Sequence, residues 1–134
     1  ALPNFSLIVP DLQHDGHNPA AAPTALKHAD SYLAAMLPRL LASRYFRPGG
    51  DGVLIITFDE SDLSGDRRCG THPETNRCGG HVFLGMLGPR VKRGFSSNIR
   101  HHQRDILRTE CDLLGLGSCP GDGAAGKGMR EFFR

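Results

Sequence analysis

Two adjacent carboxylates, Asp59 and Glu60, follow directly on a run of apolar residues in the sequence GVLIITFDES. The apolar run predicts a strand buried on both faces of a sheet. A single Asp after a strand is commonly a helix cap or a turn residue. Two carboxylates beside a low-dielectric sheet, however, repel each other unless a cation compensates their charge. The sequence therefore predicts that Asp59 and Glu60 bind one divalent metal cation together.

A second group of ionisable residues follows the first apolar segment, within the sequence PDLQHDGHN. Its members are Asp11, His14, Asp15 and His17. A further histidine, His81, opens the third apolar segment, HVFLGMLG. Carboxylates and imidazoles that converge at one edge of a sheet are the usual ligands of a divalent metal and of a bound anion. These groups therefore extend the candidate site beyond the carboxylate pair.

The elements that would bring these groups together are three short strands and two helices. Strands are predicted at Phe5–Val9, Gly52–Phe58 and His81–Gly88, and helices at Thr24–Phe46 and His102–Gly115. The first helix is amphipathic, and its proline at position 38 is expected to kink it or to end its first part. A long helical connection between the first two strands implies a right-handed parallel crossover. Both strands then end at the same sheet edge, where ligands of α/β proteins bind.

The composition indicates one domain with a hydrophobic core. The chain has 134 residues, of which 39% are hydrophobic, and its 16 basic and 14 acidic residues are mixed along its length. That mixture provides no basic stripe for nucleic acid or for an anionic membrane. No apolar run approaches the roughly 18 residues that span a bilayer, so we expect no transmembrane segment. The first residues also lack a charged leader, so any export signal has been removed or was never part of this segment.

The four cysteines form two pairs that are close in sequence, Cys69 with Cys78 and Cys111 with Cys119. Each pair encloses a short segment that contains glycine, which favours two local disulfides and an exported protein. Four cysteines allow three connectivities, and the sequence does not choose among them. One alternative is a metal knuckle from Cys69, His72 and Cys78, whose spacing matches no standard zinc pattern. The other alternative is free buried thiols.

Five segments of the sequence together resemble the C-terminal half of the phosphoesterase family that contains acid phosphatases and bacterial phospholipases C. In order, they are PNFSLIVPDLQHDGHN, HADSYLAAMLPRLLASRYF, GVLIITFDES, GGHVFLGMLGPRVKRG and HHQRDILRTECDLLGL. The resemblance implies an α/β chain with the three-layer α/β/α fold of the alkaline-phosphatase superfamily. Of that fold, the chain would supply three mostly parallel strands and two main helices. The family binds metal at the carboxyl edge of the sheet, and a hydroxyl nucleophile attacks phosphorus.

The resemblance also implies roles for individual residues. The implied metal ligands are Asp59 and Glu60 of TFDE and Asp15 of HDGH. The implied phosphate-binding residues are His14, His17 and His81, and of these His17 and His81 would be catalytic. A divalent cation neutralises the charge that builds on a transferring phosphoryl group and lowers the pKa of a coordinated hydroxyl. Imidazoles hold the phosphate oxygens or protonate the leaving alkoxide.

The nucleophile of the family lies in its N-terminal half, ahead of every segment that matches here. None of the hydroxyls of Ser6, Thr57 and Ser61 matches the motif of that nucleophile. Residues 1–134 are therefore expected to be the C-terminal portion of a single, incomplete domain of a secreted or periplasmic enzyme. Its partners would be a phosphate mono- or diester and the N-terminal half of the enzyme or another chain. The alternative is a non-catalytic extracellular module that associates through unpaired strand edges with copies of itself or with a partner.

Overall fold

The computed structural model describes residues 2–17, 22–61 and 79–134. The chain divides into two compact units, Ala1–Gly50 and Asp51–Arg134. The helices and strands are α1 (Ala22–Leu41), β1 (Leu54–Thr57), β2 (Leu84–Leu87) and α2 (Gln103–Leu113). Short 3-10 helices are formed by Arg44–Phe46, Gly121–Ala125 and Arg130–Phe132. The predicted disulfide between Cys69 and Cys78 lies outside the described residues.

The main element of the first unit is α1, which confirms the predicted amphipathic helix, although it ends at Leu41 rather than at Phe46. Two of its residues, Ala25 and Ala29, are one turn apart and buried. The helix does not end at Pro38, which lies inside it and lacks the N–H that would bond to the carbonyl of Ala34. Its last turn is held by a hydrogen bond of 3.1 Å from the backbone N–H of Ala42 to the carbonyl of Pro38.

The first apolar segment, Phe5–Val9, differs from the expectation, because it is not a strand in the structure. The sheet that the described residues form consists of β1 and β2 alone. A strand needs a neighbour that satisfies its backbone N–H and C=O groups. Without such a neighbour, the side chains of Leu7 and Val9 stay 78% and 75% exposed.

The strands β1 and β2 confirm two of the predicted strands, although both are shorter than expected. They pair in antiparallel orientation, from Leu54 opposite Leu87 to Thr57 opposite Leu84. The hydroxyl of Thr57 donates a hydrogen bond of 3.0 Å to the carbonyl of Phe83. All four residues of β1 are half-buried rather than buried. Both strands are edge strands of a two-stranded sheet, and so narrow a sheet does not bury its strands on both faces.

The core of the second unit forms around α2, whose buried residues are Asp105, Ile106, Thr109 and Cys111. The helix ends before Gly115, which has a φ of 67° and so adopts the left-handed conformation expected of a helix-ending glycine. The predicted disulfide between Cys111 and Cys119 is confirmed, and it joins α2 to the segment that follows. Met129 is buried beside the helix, and its backbone N–H donates to the hydroxyl of Thr109 at 2.9 Å.

The last residues of the chain pair with an earlier segment of the second unit. Val91 and Phe133 form an isolated antiparallel bridge. The backbone N–H of Lys92 donates to Phe132 at 2.8 Å, and that of Arg134 donates to Arg90 at 3.0 Å. The C-terminal residues are therefore an integral part of the second unit.

Gly126 packs so closely against α2 that a side chain has no room there. An added Cβ would meet the carbonyl oxygen of Arg104 and would lie 2.8 Å from the Cβ of Arg108. We expect Gly126→Ala to lower the free energy of unfolding by about 1–3 kcal/mol in urea denaturation. Gly117→Ala is the matched control, because an added Cβ would meet no atom within 4 Å. Equal unfolding midpoints for the two variants would contradict this account of the packing.

Candidate functional site

The carboxylates of Asp59 and Glu60 lie just beyond the end of β1, and both side chains are exposed. The Oδ1 atom of Asp59 accepts a hydrogen bond of 3.0 Å from the backbone N–H of Glu60. Among the described residues, no Lys, Arg or His forms an ion pair with either carboxylate. Within the described residues, the pair thus presents two carboxylates to solvent without a cationic partner.

His81 belongs to the same end of the sheet as the carboxylate pair. Thr57 lies opposite Leu84 in the last pair of the ladder, so Glu60 follows that end by three residues and His81 precedes it by three. The two segments remain in contact beyond the strands, because the backbone N–H of Ser61 donates to the carbonyl of Gly79 at 2.7 Å. An antiparallel pair of strands thus gathers residues that were expected to meet at the edge of a parallel sheet.

The turn at the carboxylate pair is also held by α2. The side-chain amide of Gln103, the first residue of that helix, donates to the carbonyl of Phe58 at 2.7 Å and to that of Asp59 at 3.2 Å. Gln103 is not among the site residues that the sequence predicted. A side chain that binds backbone carbonyls 44 and 45 residues away leaves no periodic signal in the sequence.

The other predicted site residues lie in the first unit, in the turn before α1. The carboxylate of Asp15 accepts a hydrogen bond of 2.8 Å from the backbone N–H of His17, as in many Asx turns. His14 Nδ1 lies 2.6 Å from Asp11 Oδ1, and this hydrogen bond is the main reason that the pKa of Asp11 lies below its usual value. The ring of His14 also lies 5.6 Å from that of Tyr32, centroid to centroid.

The structure therefore places the predicted site residues in two sets, one in each unit. The first set is His14, Asp15 and His17, and the second is Asp59, Glu60 and His81. In the part of the chain that the structure describes, no three His, Cys, Asp or Glu side chains are grouped closely enough to hold a metal ion. The carboxylate pair supplies oxygen donors of the kind that hard divalent cations prefer. The pair alone would supply only part of a coordination shell.

Comparison of the chain with protein-family models, with curated proteins and with solved structures found no match. The resemblance to the phosphoesterase family thus rests on the five sequence segments themselves. A search of the described helices for one long and apolar enough to cross a membrane also found none.

A second cluster of ionisable groups lies at the start of α2. His101 Nε2 is 2.6 Å from Glu131 Oε1, while His101 Nδ1 is 3.8 Å from Asp105 Oδ2. The hydroxyl of Ser97 donates to the same oxygen of Glu131 at 3.3 Å. These contacts tie the C-terminal segment to α2. His101 is thus the residue that the carboxylates of Asp105 and Glu131 share.

The two carboxylates of this cluster have lowered pKa values. Burial by itself raises the pKa of Asp105. Hydrogen bonds from the backbone N–H groups of Lys127 and His102, together with the nearby His101, have the larger combined effect, so the net pKa is lowered. Burial likewise raises the pKa of Glu131, while hydrogen bonds from backbone and from His101 bring it below its usual value. Both groups are therefore held in the charged form by their surroundings.

Proposed function

We propose that this chain is the C-terminal portion of a secreted metal-dependent phosphoesterase that acts on phosphate mono- or diesters. The observation that carries the proposal is the exposed Asp59 and Glu60 pair at the end of β1, with His81 at the same end of the sheet. The resemblance of the TFDE, HDGH and GGHV segments supports the same assignment. The disulfide between Cys111 and Cys119 supports secretion, because disulfides persist mainly in oxidising compartments.

The proposed roles follow from the chemistry of each side chain. Asp59 and Glu60 would hold a divalent cation through their carboxylate oxygens. Such a cation would neutralise phosphoryl charge and lower the pKa of a hydroxyl. His81 holds a phosphate oxygen or gives a proton to the leaving alkoxide. The resemblance assigns comparable metal and phosphate roles to Asp15 and His17.

The nucleophile is proposed to come from a segment outside residues 1–134 or from a second chain. The hydroxyl of Thr57, close to the carboxylate pair in sequence, already donates to the carbonyl of Phe83. The hydroxyl of Ser61 is buried, and it has no hydrogen-bond partner among the described residues. Neither residue lies in a segment that resembles the nucleophile motif of the family.

A second candidate function is a non-catalytic module that assembles through strand pairing. It is favoured by the exposed apolar side chains between positions 5 and 12. These are Phe5, Leu7, Ile8, Val9 and Leu12, which are between 46% and 78% exposed. Contiguous exposed apolar residues usually mark an association site, and an unpaired segment can add to the sheet of a neighbour.

A hydrolysis assay separates the two functions. Purified residues 1–134 are expected to hydrolyse p-nitrophenyl phosphate and bis(p-nitrophenyl) phosphate no faster than buffer with the same divalent metal. The naturally produced polypeptide, with any partner that co-purifies, is expected to hydrolyse at least one of them. Its intact mass should then exceed that of 134 residues, or a second chain should be present. Robust turnover by a monodisperse monomer of residues 1–134 would contradict the external nucleophile, and an inactive, metal-free natural assembly would favour the module.

A further inference from the structure

We infer that Gln103 is a positioning residue for the Asp59 and Glu60 carboxylates, an inference that rests on the proposed metal site. The side-chain nitrogen of Gln103 carries two hydrogens. One is donated to the carbonyl of Phe58 at 2.7 Å and the other to the carbonyl of Asp59 at 3.2 Å. A single donor nitrogen thus binds the peptide groups on both sides of Asp59.

These two hydrogen bonds act on the backbone torsions that aim the carboxylate. The carbonyl of Phe58 belongs to the peptide group that precedes the Cα of Asp59, and the carbonyl of Asp59 belongs to the one that follows. Fixing both carbonyls on one nitrogen restricts φ and ψ of Asp59, and these torsions set the direction of its side chain. The Asp59 carboxylate in turn accepts the backbone N–H of Glu60 at 3.0 Å. The amide therefore constrains Asp59 directly and, through its carboxylate, the backbone of Glu60.

The donor itself is fixed because Gln103 is the first residue of α2. The carboxylate of Asp105 accepts the backbone N–H of His102 at 2.9 Å, which stabilises the start of the helix. The same carboxylate accepts the backbone N–H of Lys127 at 2.9 Å. A site is held most accurately when its supporting residues lie on rigid elements. The side chain of Gln103 is exposed, so its loss should change site geometry more than global stability.

The decisive variant is Gln103→Glu, which keeps the size of the side chain and removes both N–H donors. At neutral pH the ionised carboxylate repels the two carbonyl oxygens, while at about pH 4 a protonated carboxyl can donate to one of them. Arg104→Gln is the matched control. It lies at the next, exposed position of α2 and changes the net charge by the same amount and sign.

Three measurements test the inference: metal-free amide NMR resonances and the urea midpoint of residues 1–134, and the Mn²⁺ affinity of the assembled protein. In Gln103→Glu at neutral pH, the amide resonances of Asp59 and Glu60 should shift and Mn²⁺ affinity should fall about tenfold. At about pH 4 these resonances should move back toward those of the wild type at that pH. The urea midpoint should stay close to that of the wild type, and Arg104→Gln should change none of these quantities.

The outcomes separate this inference from the proposed function. Unchanged Asp59 and Glu60 resonances in Gln103→Glu, or an equal loss of Mn²⁺ affinity in Arg104→Gln, would overturn the positioning role. A wild-type protein that binds no Mn²⁺ in any assembly would instead contradict the metal site. The metal-free resonances would then still show whether Gln103 fixes the turn.

Discussion

Substitution of Asp59 by Asn is expected to lower the affinity of the assembled protein for a divalent cation on the order of a hundredfold, because cation affinity depends on the number of charged ligands. The amide of Asn has the size of the carboxylate, and its oxygen can still accept the backbone N–H of Glu60, now 3.0 Å from Asp59 Oδ1. The fold should therefore survive while one formal charge is lost. Calorimetric titration and elemental analysis of the purified protein measure the effect, and phosphoesterase activity should fall with metal content.

Asp51→Asn is the matched control for this substitution. Asp51 is also an exposed aspartate, and it precedes β1 as Asp59 follows it, so the two variants lose the same charge at opposite ends of one strand. Metal affinity should remain that of the wild type in Asp51→Asn. Unchanged metal content in Asp59→Asn would exclude Asp59 as a ligand. An equal decrease in both variants would indicate general electrostatic attraction rather than a site.

The regular elements that the sequence predicted well are those whose signal is local. The apolar run before Asp59 predicted β1, and the periodic pattern of Thr24–Phe46 predicted α1. The short spacing of Cys111 and Cys119 likewise allowed a local disulfide, which the structure contains. The strand at Phe5–Val9 was predicted from the same kind of pattern. It is not formed, because strand formation depends on a partner that no local pattern provides.

The contacts that the sequence did not predict join residues that are distant along the chain. Gln103 binds the turn at Asp59, and Glu131 binds His101 from 30 residues away. Neither contact changes the hydrophobic periodicity of its segment. One of the missed features did carry a local signal. Asp105 lies three residues after His102, at the start of an apolar helix face, which is the spacing of a capping box.

Asp105→Ala is expected to lower the free energy of unfolding of the second unit by about 2–4 kcal/mol. Asp105 is 4% exposed, and its two carboxylate oxygens accept the backbone N–H groups of His102 and Lys127, each at 2.9 Å. Alanine leaves both N–H groups without a partner and removes the cap of α2, and each loss is costly at a buried position. Urea denaturation at neutral pH measures the change. A loss below about 0.5 kcal/mol would contradict the structural role of Asp105.

The pH dependence of stability in Asp105→Asn tests whether the charged form of Asp105 is the source of its stabilising effect. Burial raises the pKa of the carboxyl, but the hydrogen bonds from Lys127 and His102 outweigh it, so the net pKa is lowered. The folded protein therefore binds the proton less readily than the unfolded chain. The charged carboxylate therefore stabilises the fold fully above its ordinary pKa of 3.8, and that contribution is lost as the pH falls through the lowered value. The difference in unfolding free energy between wild type and Asp105→Asn should accordingly shrink as the pH is lowered below about 4. Glu131, whose pKa is also lowered, is present in both proteins, so the comparison isolates the charge of Asp105 together with its coupling to Glu131 through His101. A difference that stays constant from neutral pH into this acidic range would show that the shape of the side chain, rather than its charge, holds the C-terminal segment on α2.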